Sequence, residues 1–248
     1  MTMPQEERVI QDPTKLEWVD AAQMLTLPEG VKAKVLSDNP ETGRRDVLWY
    51  FPPGYVEPRH THKGTHSDVL IEGRWIIEGT EVGPGGYIYG PADVPHGPFE
   101  CPDGCLVFAH FEGSLEHEWP PREDVESAAA SAPEPRVITD PRTMEWQDGA
   151  QRFTLPEGVK YKILDENPET GRLDLLAYFP PGYVEPRHTH KGAHSDVLVE
   201  GRWIIEGTEV GPGGFIYGPP DVPHGPFECP EGCLVFASFH GPVEHDWD

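Results

Sequence analysis

Eight of the twelve histidines fall into two clusters of identical spacing: His60, His62, His66 and His96, then His188, His190, His194 and His224, each 128 residues further on. In His60-Thr-His62 an extended chain turns both imidazoles to one face, so one rigid element offers a metal two neighbouring ligands. His66 follows a turn at Lys63-Gly64 and opens the next strand, on the face shared with Asp68, Leu70 and Glu72. His96 follows the Pro-rich turn GPADVPH and must be delivered by the fold. Imidazole donors suit Fe, Ni, Cu, Zn or Mn, whereas Ca and Mg sites want carboxylates. A lone His-x-His carries little information. Four histidines duplicated intact point instead to one divalent transition metal per cluster, with Fe, Ni, Mn, Cu and Zn all open. His66 and His194 stay open between ligation and an acid/base role beside the ion. His110, His117, His240 and His245 lack equivalents or lie at repeat ends, and read as surface residues.

The elements that must position these clusters are repeated too. Residues 54–108 recur at 182–236 with five substitutions: Ala193 for Thr65, Val199 for Ile71, Phe215 for Tyr87, Pro220 for Ala92 and Glu231 for Asp103. Gly and Pro number 27 and 29 of 248 residues and cut each repeat into short β-branched and aromatic pieces such as DVLWYF, DVLIEGRWIIEG and CLVFAHF. Short strands between turns predict an all-β barrel or sandwich; only MLTLPEG and the alanine-rich middle could turn helically. The repeat predicts two domains, 1–119 and 136–248, with a Pro-, Ala- and acid-rich linker over 120–135. Within the first, the strands flanking NPETG should form a hairpin in which Ala33 faces Trp49. The corresponding Tyr161 and Ala177 exchange the large and small partners, as a close-packed cross-strand pair tolerates.

Cys101-Pro-Asp-Gly-Cys105 and Cys229-Pro-Glu-Gly-Cys233 carry turn sequences, so each pair should flank a tight hairpin. A reduced, half-buried pair and a Cys-x₃-Cys zinc site are the two readings. The balance of 19 basic against 43 acidic residues gives a formal charge of −24, which repels phosphate backbones and anionic lipid. Nucleic acid and membrane are therefore not expected as partners. MTMPQEERVIQDP has no apolar core resembling a signal peptide, and the expected location is cytoplasmic.

At this point the chain resembles the cupin superfamily, whose fold is a jelly-roll barrel or double-stranded β-helix. The first cupin motif, G-x₅-H-x-H-x₃₋₄-E-x₆-G, stands here as Gly54-YVEPR-His60-Thr-His62-KGT-His66-SDVLIE-Gly73. The second, G-x₅-P-x-G-x₂-H-x₃-N, stands as Gly85-GYIYG-Pro91-Ala-Asp93-VP-His96-GPF-Glu100. Both recur from Gly182 and Gly213, so the chain looks like a bicupin with two tandem barrels. Three departures are clear: His66 and His194 occupy the usual Glu position, Asp93 and Asp221 the second Gly, and Glu100 and Glu228 the Asn. Phrases such as FPPGYVEPRHTH and PGGYIYGPADVPH are similar to ChrR-type cupin domains and to the 2,4′-dihydroxyacetophenone and acetylacetone-cleaving dioxygenases. The resemblance implies His60, His62 and His96 as ligands, with His66 in the fourth place, and implies no substrate.

Four neutral imidazoles would leave a divalent ion its full charge and make it attract an anionic chelator such as an enolate or carboxylate. Asp68 and Asp196 are candidate general bases for enolisation, or partners that orient a ligand histidine. The expected function is a metal-dependent dioxygenase cleaving a β-diketone or hydroxyketone-like compound, with dioxygen as co-substrate. A non-oxidative isomerase or lyase, and a metal- or ligand-binding sensor without turnover, are the alternatives. The substrate pocket is expected in the barrel interior, walled by Leu70, Ile76 and Tyr89; Trp75 is open between the cavity rim and a domain interface. Tyr87 and Phe215 are expected to distinguish the two sites. Assembly of several copies of the chain is left open.

Overall fold

The computed structural model describes residues 6–25, 27–118, 136–153 and 155–247. Two compact units form: one from residues 16–143, the other from residues 1–15 with 144–248. The expected linker over 120–135 lies outside the described residues.

Each unit is a β-barrel of two unequal main sheets with a two-stranded sheet beside them, Thr61–His62 with His117–Glu118 in one unit and His188–His190 with His245–Trp247 in the other. In the unit of residues 16–143 a seven-stranded sheet runs Val137–Thr139, Tyr87–Gly90, Thr65–Gly73, Cys105–Glu112, Arg44–Phe51, Lys32–Asn39 and Val19–Asp20. A four-stranded sheet runs Tyr55–Glu57, Phe99–Cys101, Trp75–Ile77 and Thr80–Val82. The other unit repeats the order, its larger sheet running Val9–Gln11, Phe215–Gly218, Ala193–Gly201, Cys233–His240, Arg172–Phe179, Lys160–Asn167 and Gln147–Asp148. The β-branched and aromatic pieces become strands because alternate residues fill the interior: in Trp75–Ile77, for example, Trp75 and Ile77 are buried and Ile76 is half-buried. Among the described residues helix is confined to single turns such as Ala21–Gln23 and Gly149–Arg152, each started by an aspartate, Asp20 or Asp148, that accepts from a backbone N–H.

The domain division differs from the sequence repeat in one respect. Val9–Gln11, at the start of the first repeat, pairs with Phe215–Gly218 of the second, and Val137–Thr139, at the start of the second, pairs with Tyr87–Gly90 of the first. Each of these strands covers a sheet edge that would otherwise expose unpaired backbone groups.

The hairpin register is as expected: Ala33 faces Trp49 and Tyr161 faces Ala177. Beyond Val35 and Ile163 a bulge shifts the pairing by one residue. The cysteine pairs differ from expectation. Cys101 ends a strand of the smaller sheet and Cys105 opens one of the larger, so the Pro-Asp-Gly turn joins two sheets and closes no hairpin. All four thiols are free and buried rather than half-buried; Cys105 Sγ donates to Arg74 O at 3.0 Å, and Cys233 Sγ to Arg202 O at 2.9 Å.

His110 is not a surface residue. Its side chain is 2% exposed, and its Nδ1 lies 2.7 Å from Asp46 Oδ1, while Arg44 pairs with the other carboxylate oxygen. The strand alternation of Cys105–Glu112 turns it inward against an aspartate that already needs compensation. His240 is half-buried, and the side chains of His117 and His245 lie outside the description. In the second unit Asp174 keeps Arg172, and Ser238 stands where His110 would be. Burial alone pushes the His110 imidazole down, but the charge and hydrogen bond of Asp46 outweigh it and the net direction is up. A raised folded-state value stabilises fully below the unfolded imidazole value near ~6.5 and is lost as pH rises through the folded value. His110→Ser should therefore cost about 1–3 kcal/mol at pH 6, with a smaller deficit at pH 9. Denaturant melts of both proteins at the two pH values measure this; a deficit that grows with pH contradicts it.

Candidate metal centre

Two backbone hydrogen bonds set the centre of each cluster. His60 N donates to His96 O and His96 N to His60 O, both at 2.9 Å, an isolated bridge outside the named strands. It brings residues 36 apart into register and sets their imidazole centroids 4.4 Å apart. His62 lies two residues on, in the Thr61–His62 strand, with its ring centroid 5.0 Å from that of His60. His66 opens the Thr65–Gly73 strand opposite Gly90, and its Nε2 comes within 3.2 Å of His96 Nε2. The second unit repeats this with the His188–His224 bridge, His190 and His194. All eight predicted histidines are buried, and the ring of each fourth histidine has its centroid within 5 Å of two of the others, at 4.9 and 4.6 Å for His66 and 4.9 and 4.7 Å for His194.

The ring nitrogens are sorted by the backbone. His60 Nδ1 faces Pro58 O and His96 Nδ1 faces Val94 O, both at 2.9 Å; His188 and His224 do the same with Pro186 O and Val222 O, also at 2.9 Å. A carbonyl only accepts, so each Nδ1 carries the proton and each Nε2 lone pair faces the centre. Yet His188 Nε2 lies 3.2 Å from His190 Nε2 and 3.1 Å from His224 Nε2, where two acceptors repel. Extra protons do not relieve this. Burial, followed by the neighbouring imidazoles, holds His96 well below the ordinary range, and the same causes push His224 down to about 2. His194 Nε2 is buried without a hydrogen-bond partner. Converging neutral nitrogen lone pairs fit a divalent transition metal, and His60, His62, His96 and His188, His190, His224 are each close enough to share one.

The candidate bases stand behind the fourth histidine. His66 Nδ1 lies 3.1 Å from Asp68 Oδ1, and His194 Nδ1 lies 2.9 Å from Asp196 Oδ2. Asp196 Oδ1 is buried without a partner, and the residue also lines the cavity. One oxygen can thus hold the ring while the other faces a bound compound.

Glu57 and Glu185 are additional residues, unrecognised in the sequence. In Tyr55–Glu57 and Tyr183–Glu185 the outer residues are buried and the middle one exposed; the buried Tyr55 was the available signal that Glu57 also points inward. Glu57 Oε1 lies 3.8 Å from His60 Nε2. Burial, and then the charge of Asp68 or Asp196, pushes each carboxyl up to about 8.

The cavity beside each cluster has walls other than those expected. Trp75 lines it, with Trp49, Phe51, Phe99, Val107 and Phe111, whereas Leu70, Ile76 and Tyr89 do not. A bulge at Ile71 in the Thr65–Gly73 strand shifts the alternation, so that Trp75 and Ile77 rather than Ile76 turn inward. Tyr87 and Phe215 are fully buried and line neither cavity.

Gly90 and Gly218 are the sheet partners of the fourth imidazoles. A Cβ there would lie 2.0 Å from His66 Nε2 or His194 Nε2, and Phe111 or Phe239 stacks on the ring. Gly90→Ala and Gly218→Ala should displace the fourth imidazole and lower metal affinity about 10–100-fold, with the far-UV circular dichroism unchanged. Competition with a coloured chelator measures it, and unchanged affinity would remove His66 and His194 from the ligand set.

The chain can now be compared with known proteins. The family profile of the ChrR cupin-like domain matches twice, over residues 6–116 and 134–244. No curated protein matches at a significant level. Among solved structures, a provisionally assigned dioxygenase from Nostoc punctiforme superposes with a TM-score of 0.81 at 13% identity, over 99% of this chain and 88% of that one. The oxalate decarboxylase of Lactobacillus farciminis, in a formate complex, gives 0.67 at 14% identity over 99% and 90% of the two chains. The oxalate decarboxylase of Bacillus subtilis gives 0.60 at 14% over 100% and 79%. At such identities the likeness is one of fold. With its family profile matched in both halves and two cupin barrels in tandem, the chain belongs to the ChrR cupin-like family and is a bicupin.

Proposed function

We propose that each unit binds one divalent transition metal through His60, His62 and His96, or through His188, His190 and His224, with His66 or His194 as the fourth imidazole. We further propose that the protein is an oxygen-dependent enzyme cleaving a small chelating compound such as a β-diketone or hydroxyketone. The observation that carries this is the convergence of Nε2 lone pairs whose Nδ1 protons are committed to backbone carbonyls. Iron(II) is the favoured ion, and the Mn(II) centres named for the Bacillus subtilis oxalate decarboxylase keep manganese in view. Held by these histidines, the ion would supply Lewis acidity toward an anionic chelator and the redox chemistry that dioxygen requires.

The protein's own residues supply the rest. Imidazole donors bring no negative charge to the ligand set, and burial holds those of His96 and His224 below the ordinary range, so an enolate is favoured over a neutral ketone. Asp196, holding the Nδ1 proton of His194, has its second oxygen free to accept the α-proton during enolisation, and Asp68 stands at the same place beside His66. Glu57 or Glu185, kept protonated near neutral pH by burial, can donate a hydrogen bond to a substrate oxygen. The aromatic walls exclude water from the reacting centre.

A redox-neutral lyase is the second reading, supported by the oxalate decarboxylase likeness and by the protonated carboxyl beside the site. A sensor without turnover is the third, supported by the family. Purified protein should hold two metals per chain, and His60→Ala with His188→Ala together should remove both, as elemental analysis reads. Iron-loaded wild-type protein should consume one dioxygen per β-diketone cleaved in an oxygen-electrode assay. Conversion without oxygen would install the lyase reading, and tight binding without conversion the sensor.

A further inference from the structure

We infer that the two metal-facing cavities differ in reach, and that the exchange of Trp49 for Ala177 sets the difference. The cavity beside His188 takes a chelating compound that carries an aromatic or branched apolar group. The cavity beside His60 takes the compact chelating head alone. This rests on the chelation reading proposed above, which the closing experiment tests separately.

The two cavities are built from nearly identical repeats yet, with their open mouths included, span about 400 Å³ beside His60 and about 590 Å³ beside His188. Their linings locate the extra space. Tyr161, Leu175 and Ala237 line the larger cavity; their counterparts Ala33, Val47 and Ala109 do not line the smaller one, and lie fully buried in one core with Trp49. The Trp49 indole therefore covers a floor that Ala177 leaves open. The cores agree. One continuous apolar group joins Ala33, Val47, Trp49, Trp75 and Ala109 in the first unit. In the second, the residues around Trp203 and those around Tyr161 and Ala177 form separate groups.

Tyr161 does not refill the space. Its hydroxyl donates to Gln147 Oε1 at 2.9 Å, and its ring packs edge-on to Phe153 with centroids 4.7 Å apart. The added wall, made by Tyr161, Leu175 and Ala237, is apolar apart from the Tyr161 hydroxyl. A pocket with polar donors at one end and hydrocarbon at the other selects a compound divided the same way. Filling it with a phenyl group should tighten binding about tenfold, the worth of roughly 1.4 kcal/mol.

The experiment uses the full metal-loaded chain with one site disabled. His60→Ala leaves the site beside His188, and His188→Ala leaves the other. Calorimetric titration with acetylacetone and with 1-phenyl-1,3-butanedione should show the phenyl probe about tenfold tighter on His60→Ala and no tighter on His188→Ala. Two exchange variants recreate pairs already present in the chain and should fold: Tyr161→Ala with Ala177→Trp should erase the preference, and Ala33→Tyr with Trp49→Ala should create it at the other site. Equal preference at both sites, or exchanges that leave it unchanged, would overturn the inference. Benzene binding to the metal-free chain, followed by NMR, supplies an arm without chelation. It should be detected in wild type and lost on the Tyr161→Ala, Ala177→Trp exchange. If benzene behaves so while neither diketone binds, the difference in reach is upheld and the chelation reading is contradicted. Benzene binding that the exchange does not alter overturns the difference itself.

Discussion

The structure of each site depends on one short backbone contact, the reciprocal pairing of His60 with His96 and of His188 with His224. It joins two turn-rich segments lying outside the main sheets, and it fixes which ring nitrogen faces inward. Because Pro58 O and Val94 O each take an Nδ1 proton, neither histidine can rotate its protonated nitrogen to the centre without stranding a buried carbonyl. The result is a preorganised set of lone pairs that is electrostatically unfavourable alone and favourable around a cation. The loop carrying His96 is held from outside by Arg136, which donates to Pro95 O at 2.7 Å and pairs with Glu78 at 2.6 Å. Arg8 does the same for the loop carrying His224, through Pro223 O and Glu206. These arginines adjoin the strands at the start of each repeat, so the edge strand and the histidine-bearing loop are fixed together.

The fourth imidazole shows how far the barrel is adapted to the site. A histidine in the usual glutamate position needs room for a ring, and Gly90 and Gly218 provide it by having no Cβ. Its charge pairing moves one residue pair further out, to Asp68 and Asp196. The site thus keeps a carboxylate nearby while presenting nitrogen to the centre. Glu57 and Glu185 add a second carboxyl from the smaller sheet, buried and raised toward neutrality, so each cavity holds two acids in unlike environments.

Much of this was legible in the residues. The histidine spacing located the centre because His-x-His on a strand has only one geometry, and the repeat located it twice. The Ala33–Trp49 register was legible because the NPETG turn and strict alternation leave little freedom. The bulge at Ile71 was not, and it moved the predicted wall from Ile76 to Trp75. Nor were the partners of the edge strands. Val9-Ile10 and Val137-Ile138 are identical dipeptides facing near-identical sheets, and only the path of the chain decides which edge each covers. Glu57 escaped notice because its neighbours in sequence are the ligands, whereas the signal lay in the buried Tyr55 on the same strand face. His110 looked peripheral because Ser238 stands at its counterpart position, and its burial follows from the strand phase and from Asp46.

The central claim is that converging Nε2 atoms hold a metal in each unit. Anomalous diffraction at the metal edge, from crystals grown anaerobically with iron(II), tests it most directly. One peak per unit is expected, about 2.0–2.2 Å from Nε2 of His60, His62 and His96, and likewise from Nε2 of His188, His190 and His224. Peaks absent from both centres, or found instead at the Cys101–Cys105 and Cys229–Cys233 pairs, would contradict it.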